Sequence, residues 1–389
     1  MGAGPFLALV IEFYLPPSES EEGVIRAAEQ AYRPLLHLLE AYRDRVALTL
    51  AIDPALALRL LSSRQSGILH GLASLAESGN AELAAGTRNH ALLPRIPRAE
   101  VERQVRLGDE LMRKLLGWAW RPYGLFPPAL AYGRQVAEVA ASRNLRWLLL
   151  DEISLGRIGA APTQTIPVLP MEKEFCLFFR SRDLSAAFLS ASPRALVKQI
   201  EATLAGGYGV AVVPGEKFGA DSRCMENLQW ILSRGGPTPA SLSALLPLFP
   251  DRRPVEPLPA SRRTTPEDLA MGIPFAAWSA PDNEIQGLLW HLAALAWTEA
   301  ARLEKEAPDA PETKRLRAGL DEGLHSAPFR QASRGAAFQP EAVLAAGTQL
   351  AKALEAGGPL IPALVHEEGA DAARRLRQAV EARAHTPFP

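Results

Sequence analysis

Seven polar residues stand where short apolar runs of the chain give out: Glu12, Asp53, Thr87, His90, Asp151, Glu152 and Glu216. Carboxylates facing one another across a cleft are equipment for acid–base or nucleophilic work on a glycosidic bond. Glu12 is the most unusual of them, because it interrupts FLALVIEFY. A carboxylate in such a strand is costly unless it is paired. It reads either as a functional group or as the partner of an arginine on a neighbouring strand. Asp53, followed by Pro54, reads as a helix cap. His90 lies in the loop GTRNHALLPRIP, and loops on a rigid scaffold often carry function. Asp151 and Glu152 either cap the loop after RWLLL or serve a site. His37, His70, His291, His325, His366 and His385 are scattered without metal-ligand spacing, so no metal and no cofactor is expected. Cys176 and Cys224 form no disulfide framework.

The elements that must position these residues follow from periodicity. FLALVIEF (6–13), RVALTLAI (45–52), AELAAGT (81–87), YGLFPP (123–128), RWLLL (146–150), FCLFFR (175–180) and GYGVAVVP (207–214) read as strands. Helices are expected over 24–43 with a break at Pro34, over 55–61, 68–77, 99–117, 129–143 and 193–206. Repeated β-then-α units imply a parallel sheet with helices outside, and about seven strands favour a closed or nearly closed barrel. The fold class is therefore α/β, a (β/α)7-type incomplete TIM-like barrel over 1–280, followed by a C-terminal helical region over 281–389. The Pro-, Arg- and Ser-rich stretch 235–266 reads as a surface excursion, and GIPFAAW (272–278) as one more strand. In such barrels chemistry sits at the C-terminal strand ends.

Composition narrows the function. The chain has 389 residues, 48% hydrophobic and 22% charged, with a formal net charge of -1. No basic block is present, which argues against nucleic acid or an anionic membrane as partner. The run before Pro16 and Pro17 is too short for a membrane span and lacks a basic leader, so a cytoplasmic location is expected. Phosphate-loop, dinucleotide and nucleophile-elbow motifs are absent, and GGYGV (206–210) reads as a helix stop.

Four segments in order resemble glycoside hydrolase family 57, an α-glucan-acting family with a seven-stranded (β/α) barrel: FLALVIEFYLPP with the downstream AYRPLL, SGNAELAAGTRNHALLP, YGLFPPALAYGRQVAEVAASRNLRWLLLDE, and VAVVPGEKFG. The segments NEIQGLLWHLAALAW and LHSAPFRQASRGAAFQPEAV resemble the helical region that follows the barrel. Departures from the family pattern fall on its chemistry. Where the family has H-N-H-Q-P, this chain has Glu12, Phe13, Tyr14, Leu15 and Pro16. Where the family has its nucleophilic Glu, this chain has Ala129, and Pro214 aligns with the acid/base Asp. Neither residue ionises. Glu82, His90, Tyr132, Asp151, Glu216 and Gly219 persist.

The resemblance implies a barrel that kept its fold and lost hydrolysis, retained as a binding or regulatory protein of bacterial carbohydrate metabolism. An α-glucan or oligosaccharide is the implied ligand, with His90, Tyr14, Phe126, Tyr132 and Phe218 as sugar contacts. One alternative is an active hydrolase or glucanotransferase with relocated carboxylates among Glu12, Asp151, Glu152 and Glu216. Another is an assembly protein working through its helical part, where Trp278, Trp290 and Trp297 lie.

Overall fold

The computed structural model describes residues 5–219, 221–234, 236–334 and 337–385. The chain forms two compact units, one of residues 1–88 and 93–262, the other of residues 89–92 and 263–389.

Among the described residues the first unit holds ten strands: β1 (Phe6–Phe13), β2 (Leu48–Ile52), β3 (Ala81–Leu83), β4 (Gly124–Leu125), β5 (Trp147–Asp151), β6 (Ile166–Leu169), β7 (Phe175–Arg180), β8 (Tyr208–Pro214), β9 (Thr238–Pro239) and β10 (Arg252–Pro254). They form two sheets, β3-β2-β1-β8 with β9 also on β1, and β10-β6-β7-β5-β4. β3 and β4 are joined by an isolated parallel bridge between Ala85 and Leu125. β7 meets β8 where the Ser181 N–H donates to the Val210 carbonyl at 2.9 Å. The order β1-β2-β3-β4-β5-β7-β8 thus runs around an incomplete seven-stranded barrel, closed by the full β1–β8 ladder.

Alternation along the strands assigns the two faces. Ala8 and Val10 of β1, Ala51 of β2, Trp147 and Leu149 of β5, Cys176 and Phe178 of β7, and Val210 and Val212 of β8 fill one common core. The same parity carries Glu12, Asp53, Asp151, Arg180 and Pro214 to the inner face at the C-terminal strand ends. Asp53 caps the helix Pro54–Ser62, accepting from the Leu56 N–H at 2.9 Å.

Several details depart from the periodicity. The break near Pro34 is a π-turn, Ala28–Tyr32, with the proline in the first turn of the helix that follows, where its missing N–H costs nothing. The stretch after residue 235 is no surface excursion, although Gly235 itself lies outside the described residues. Its Ala240, Leu242, Leu245 and Phe249 are buried in the barrel core, and Phe249 packs on Phe6 and Tyr208. β6 was hidden by its four-residue length and its proline.

The second unit is helical: Glu284–Glu306, Pro311–Gly323, Ser326–Gln331, Pro340–Ala356 and Ala363–Ala384. Besides residues 89–92, it takes up the chain from 263. GIPFAAW forms no strand; Ala276–Ser279 is a short helix. Gln286 Nε2 donates to the Ala277 carbonyl at 3.0 Å and Trp290 Nε1 to the Trp278 carbonyl at 2.9 Å, which ties this segment to the helices beyond it. Trp278 and Trp290 are buried, and Trp290 packs at a tilt against Phe329 with ring centroids 4.2 Å apart. Among the described residues no helix is long and apolar enough to cross a membrane.

Candidate functional site at the barrel mouth

Glu12 is 4% exposed, so its charge demands a partner. Oε2 receives Nη1 of Arg262 in an ion pair, while Oε1 is buried without a hydrogen-bond partner among the described residues. Arg262 is fixed from the other side: its main-chain N–H donates to the Ala129 carbonyl at 2.9 Å. One arginine therefore spans the first strand and the turn where the resemblance puts the lost nucleophile.

Asp151, at the end of β5, is fully buried and held by two arginines. Arg180 Nη1 lies 3.1 Å from Oδ2 and Arg182 Nε 2.7 Å from Oδ1. Oδ1 also accepts the Ile153 N–H at 3.2 Å. Burial lowers the Arg180 guanidinium below its usual range; Asp151 opposes this, and the like charges of Arg262 and Arg182 add to it. Glu152 accepts the main-chain N–H of Arg182 at 2.7 Å and of Gly159 at 2.9 Å. Burial raises its carboxyl above the usual range, these N–H groups opposing. It holds a loop together.

Asp53 is pushed up to about 7 by burial, against the N–H groups of Leu56 and Ala55, with the Glu12 charge raising it further. Tyr32 packs edge-on against Phe13, centroids 4.9 Å apart, and its hydroxyl is buried without a partner. Burial, then Glu216 and Glu12, push that phenol far up. Glu216 is exposed in the turn Gly215–Lys217, and Tyr14 is half-buried. Pro214 pairs in register with Glu12 across the β1–β8 ladder.

Ala129 is buried at φ 57°, ψ 17°, and Leu130 follows at φ 51°. Two successive non-glycine residues in the left-handed region store backbone strain. Three expected sugar contacts are packed inside instead. Phe126 belongs to the barrel core, Phe218 is buried beside Phe188, and Tyr132 is buried with its hydroxyl unpartnered and its phenol raised by burial to about 12. His90 belongs to the second unit. It stacks on His325 with centroids 5.4 Å apart, and its Nδ1 lies 3.1 Å from Ser326 Oγ. Glu82 sits on β3, where it accepts from Trp147 Nε1 at 3.1 Å and the Ser243 N–H at 3.0 Å. No cluster of metal-ligating side chains occurs among the described residues.

The residues missed from sequence are the arginines Arg180, Arg182 and Arg262. Arg180 was accessible in principle: in FCLFFR it shares the parity of the core residues Cys176 and Phe178. Arg262 had no such signal, since it comes from a loop far along the chain.

The mouth gathers buried carboxylates on the inner rim of an α/β barrel, and comparison with known proteins agrees with that architecture. Residues 10–192 match the model of Glycosyl hydrolase family 57. A search of curated protein sequences gave no significant match. Among solved structures, the chain is similar to a GH57-type branching enzyme from Pyrococcus horikoshii, with a TM-score of 0.74 and 14% identity over 97% of this chain and 94% of that one. A branching enzyme from Thermococcus kodakaraensis, in complex with glucose, gives 0.70 and 14% over 99% and 97%. A 4-alpha-glucanotransferase from Thermococcus litoralis gives 0.71 and 14% over 91% of this chain but 60% of that longer one. At such identity the structural likeness establishes the fold. By sequence over residues 10–192, and by fold over nearly its whole length, this chain resembles glycosyl hydrolase family 57.

Proposed function

We propose that this chain binds an α-glucan or oligosaccharide at the barrel mouth without cleaving it, and acts as a binding or regulatory protein of carbohydrate metabolism. The observation that carries the reading is the neutralisation of the rim carboxylates: Glu12 is paired with Arg262, and Asp151 with Arg180 and Arg182. A retaining mechanism needs one carboxylate bare enough to attack and a second that holds a proton, about 5–5.5 Å apart. An arginine-paired carboxylate is a poor general acid, because the guanidinium favours its charged form. Ala129 and Pro214 supply no replacement. The strained turn at Ala129 and Leu130 supports descent from a working site, since such strain gathers where function once demanded it.

A second reading has one observation in its favour. Burial raises Asp53 to about 7, with Glu12 adding to the rise, and a carboxyl raised in this way suits acid–base work. Against it, Asp53 already caps a helix and is buried. Calorimetric titration with maltose through maltoheptaose, with cellopentaose as control, tests the binding claim. Saturable heat with the α-linked series alone supports it, and no heat with any sugar overturns it.

A further inference from the structure

We infer that the end of the barrel opposite the mouth carries a second carbohydrate-binding site, built around Trp118 and Tyr123. Both lie within the first unit and line one cleft of about 470 Å³, beside the N-terminal ends of β3 and β4. A second cleft of about 290 Å³ shares Arg121 and Tyr123 with it.

Trp118 is 84% exposed and Tyr123 56%. Large aromatic side chains normally bury most of their surface, so two exposed ones lining a single cleft need a reason. Neither is loose. Gly117, at φ 55°, ends the helix Arg98–Leu116 and opens the turn Gly117–Ala119. The next aromatic, Trp120, is buried and donates from Nε1 to Asp109 Oδ1 at 2.8 Å. That anchor fixes the turn with Trp118 facing outward. Tyr123 stands next to β4, and its carbonyl accepts the Arg146 N–H at 2.6 Å.

The polar lining decides the ligand class. Arg121 and Glu77 are exposed and have no hydrogen-bond or ion-pair partner among the described residues, and the hydroxyls of Ser241 and Ser243 complete the wall. A lipid or an apolar helix would leave those two charges desolvated and unsatisfied. A sugar ring has an apolar face for each aromatic side chain and hydroxyl edges for a guanidinium and a carboxylate. A neutral oligosaccharide therefore fits both halves of the lining. The choice of an α-glucan over other polysaccharides rests on the reading of the mouth given above.

The test uses the intact chain and its Trp118→Ala, Trp118→Phe and Tyr123→Ala variants in native gels containing glycogen. Both alanine variants change exposed side chains, and circular dichroism checks that they fold. The expected result is retardation of the wild type and of Trp118→Phe, with apparent affinity falling about tenfold in each alanine variant. Maltotriose titration of a Trp118→Ala, Tyr123→Ala double variant, in which the second site is removed, reports on the mouth alone and should still give saturable heat. Equal retardation of wild type and Trp118→Ala overturns the inference and leaves the mouth reading standing. Absence of any wild-type retardation also overturns it, and the maltotriose titration then decides the mouth separately. Trp118-dependent binding of a proline decamer without glycogen binding would overturn it in favour of a peptide site.

Discussion

The guanidinium of Arg262 pairs with Glu12, and the main chain of the same arginine holds the carbonyl of Ala129. This contact joins the one charged residue of β1 to the turn that in the resembled family carries the nucleophile.

Removing that tie should cost more than an ordinary surface pair. Arg262→Met leaves Glu12 buried and uncompensated, so the loss should be about 3 kcal/mol in urea denaturation. Adding Glu12→Gln to Arg262→Met should recover part of it, because no charge is then stranded. A double variant no better than the single one would mean that Glu12 is solvated.

Asp53 makes stability depend on pH in a defined sense. Its folded value of about 7 exceeds the unfolded value of about 3.9, so the native state holds the proton more tightly. Its contribution is fully present below about pH 4 and is lost as pH rises towards 7, on the order of 4 kcal/mol at most. Asp53→Asn keeps a capping oxygen and removes the charge. It should raise the melting temperature at pH 8 and leave it nearly unchanged at pH 4. A gain of equal size at both pH values would contradict the shift.

Position 129 cannot simply be repaired. Ala129 is buried at positive φ, so Ala129→Glu adds an unpaired charge to a strained backbone. The melting temperature should fall by more than about 10 °C. A fall within a few degrees would show the turn opening to solvent.

The barrel was legible because its longer strands, β1, β2, β5, β7 and β8, are largely apolar runs, and a strand buried on both faces leaves that trace. Short strands fared worse: β4 keeps two residues of the six read as strand, and β6 was missed. GIPFAAW misled because a four-residue helix and an apolar strand of that length share a composition. At the mouth, Asp53 shows itself as a cap through Pro54, and an arginine partner for Glu12 is one of two readings of the sequence, although the arginine comes from a loop and not from a neighbouring strand. Which arginine it is does not show in the sequence, because the contact spans 250 residues. Phe126, Tyr132 and Phe218 were read as sugar contacts by likeness to a pattern, while burial depends on packing that sequence order does not encode.

Turnover is the most direct test of the central claim. Purified chain is incubated with maltoheptaose at concentrations where titration shows it bound, and the sugars are separated by chromatography over many hours. The account predicts that maltoheptaose is recovered intact, with no shorter or longer chains, from wild type and from Asp53→Asn alike. Products that form in proportion to protein and disappear in Asp53→Asn or Glu12→Gln would contradict it, and would show that the rim carboxylates still work as a catalytic pair.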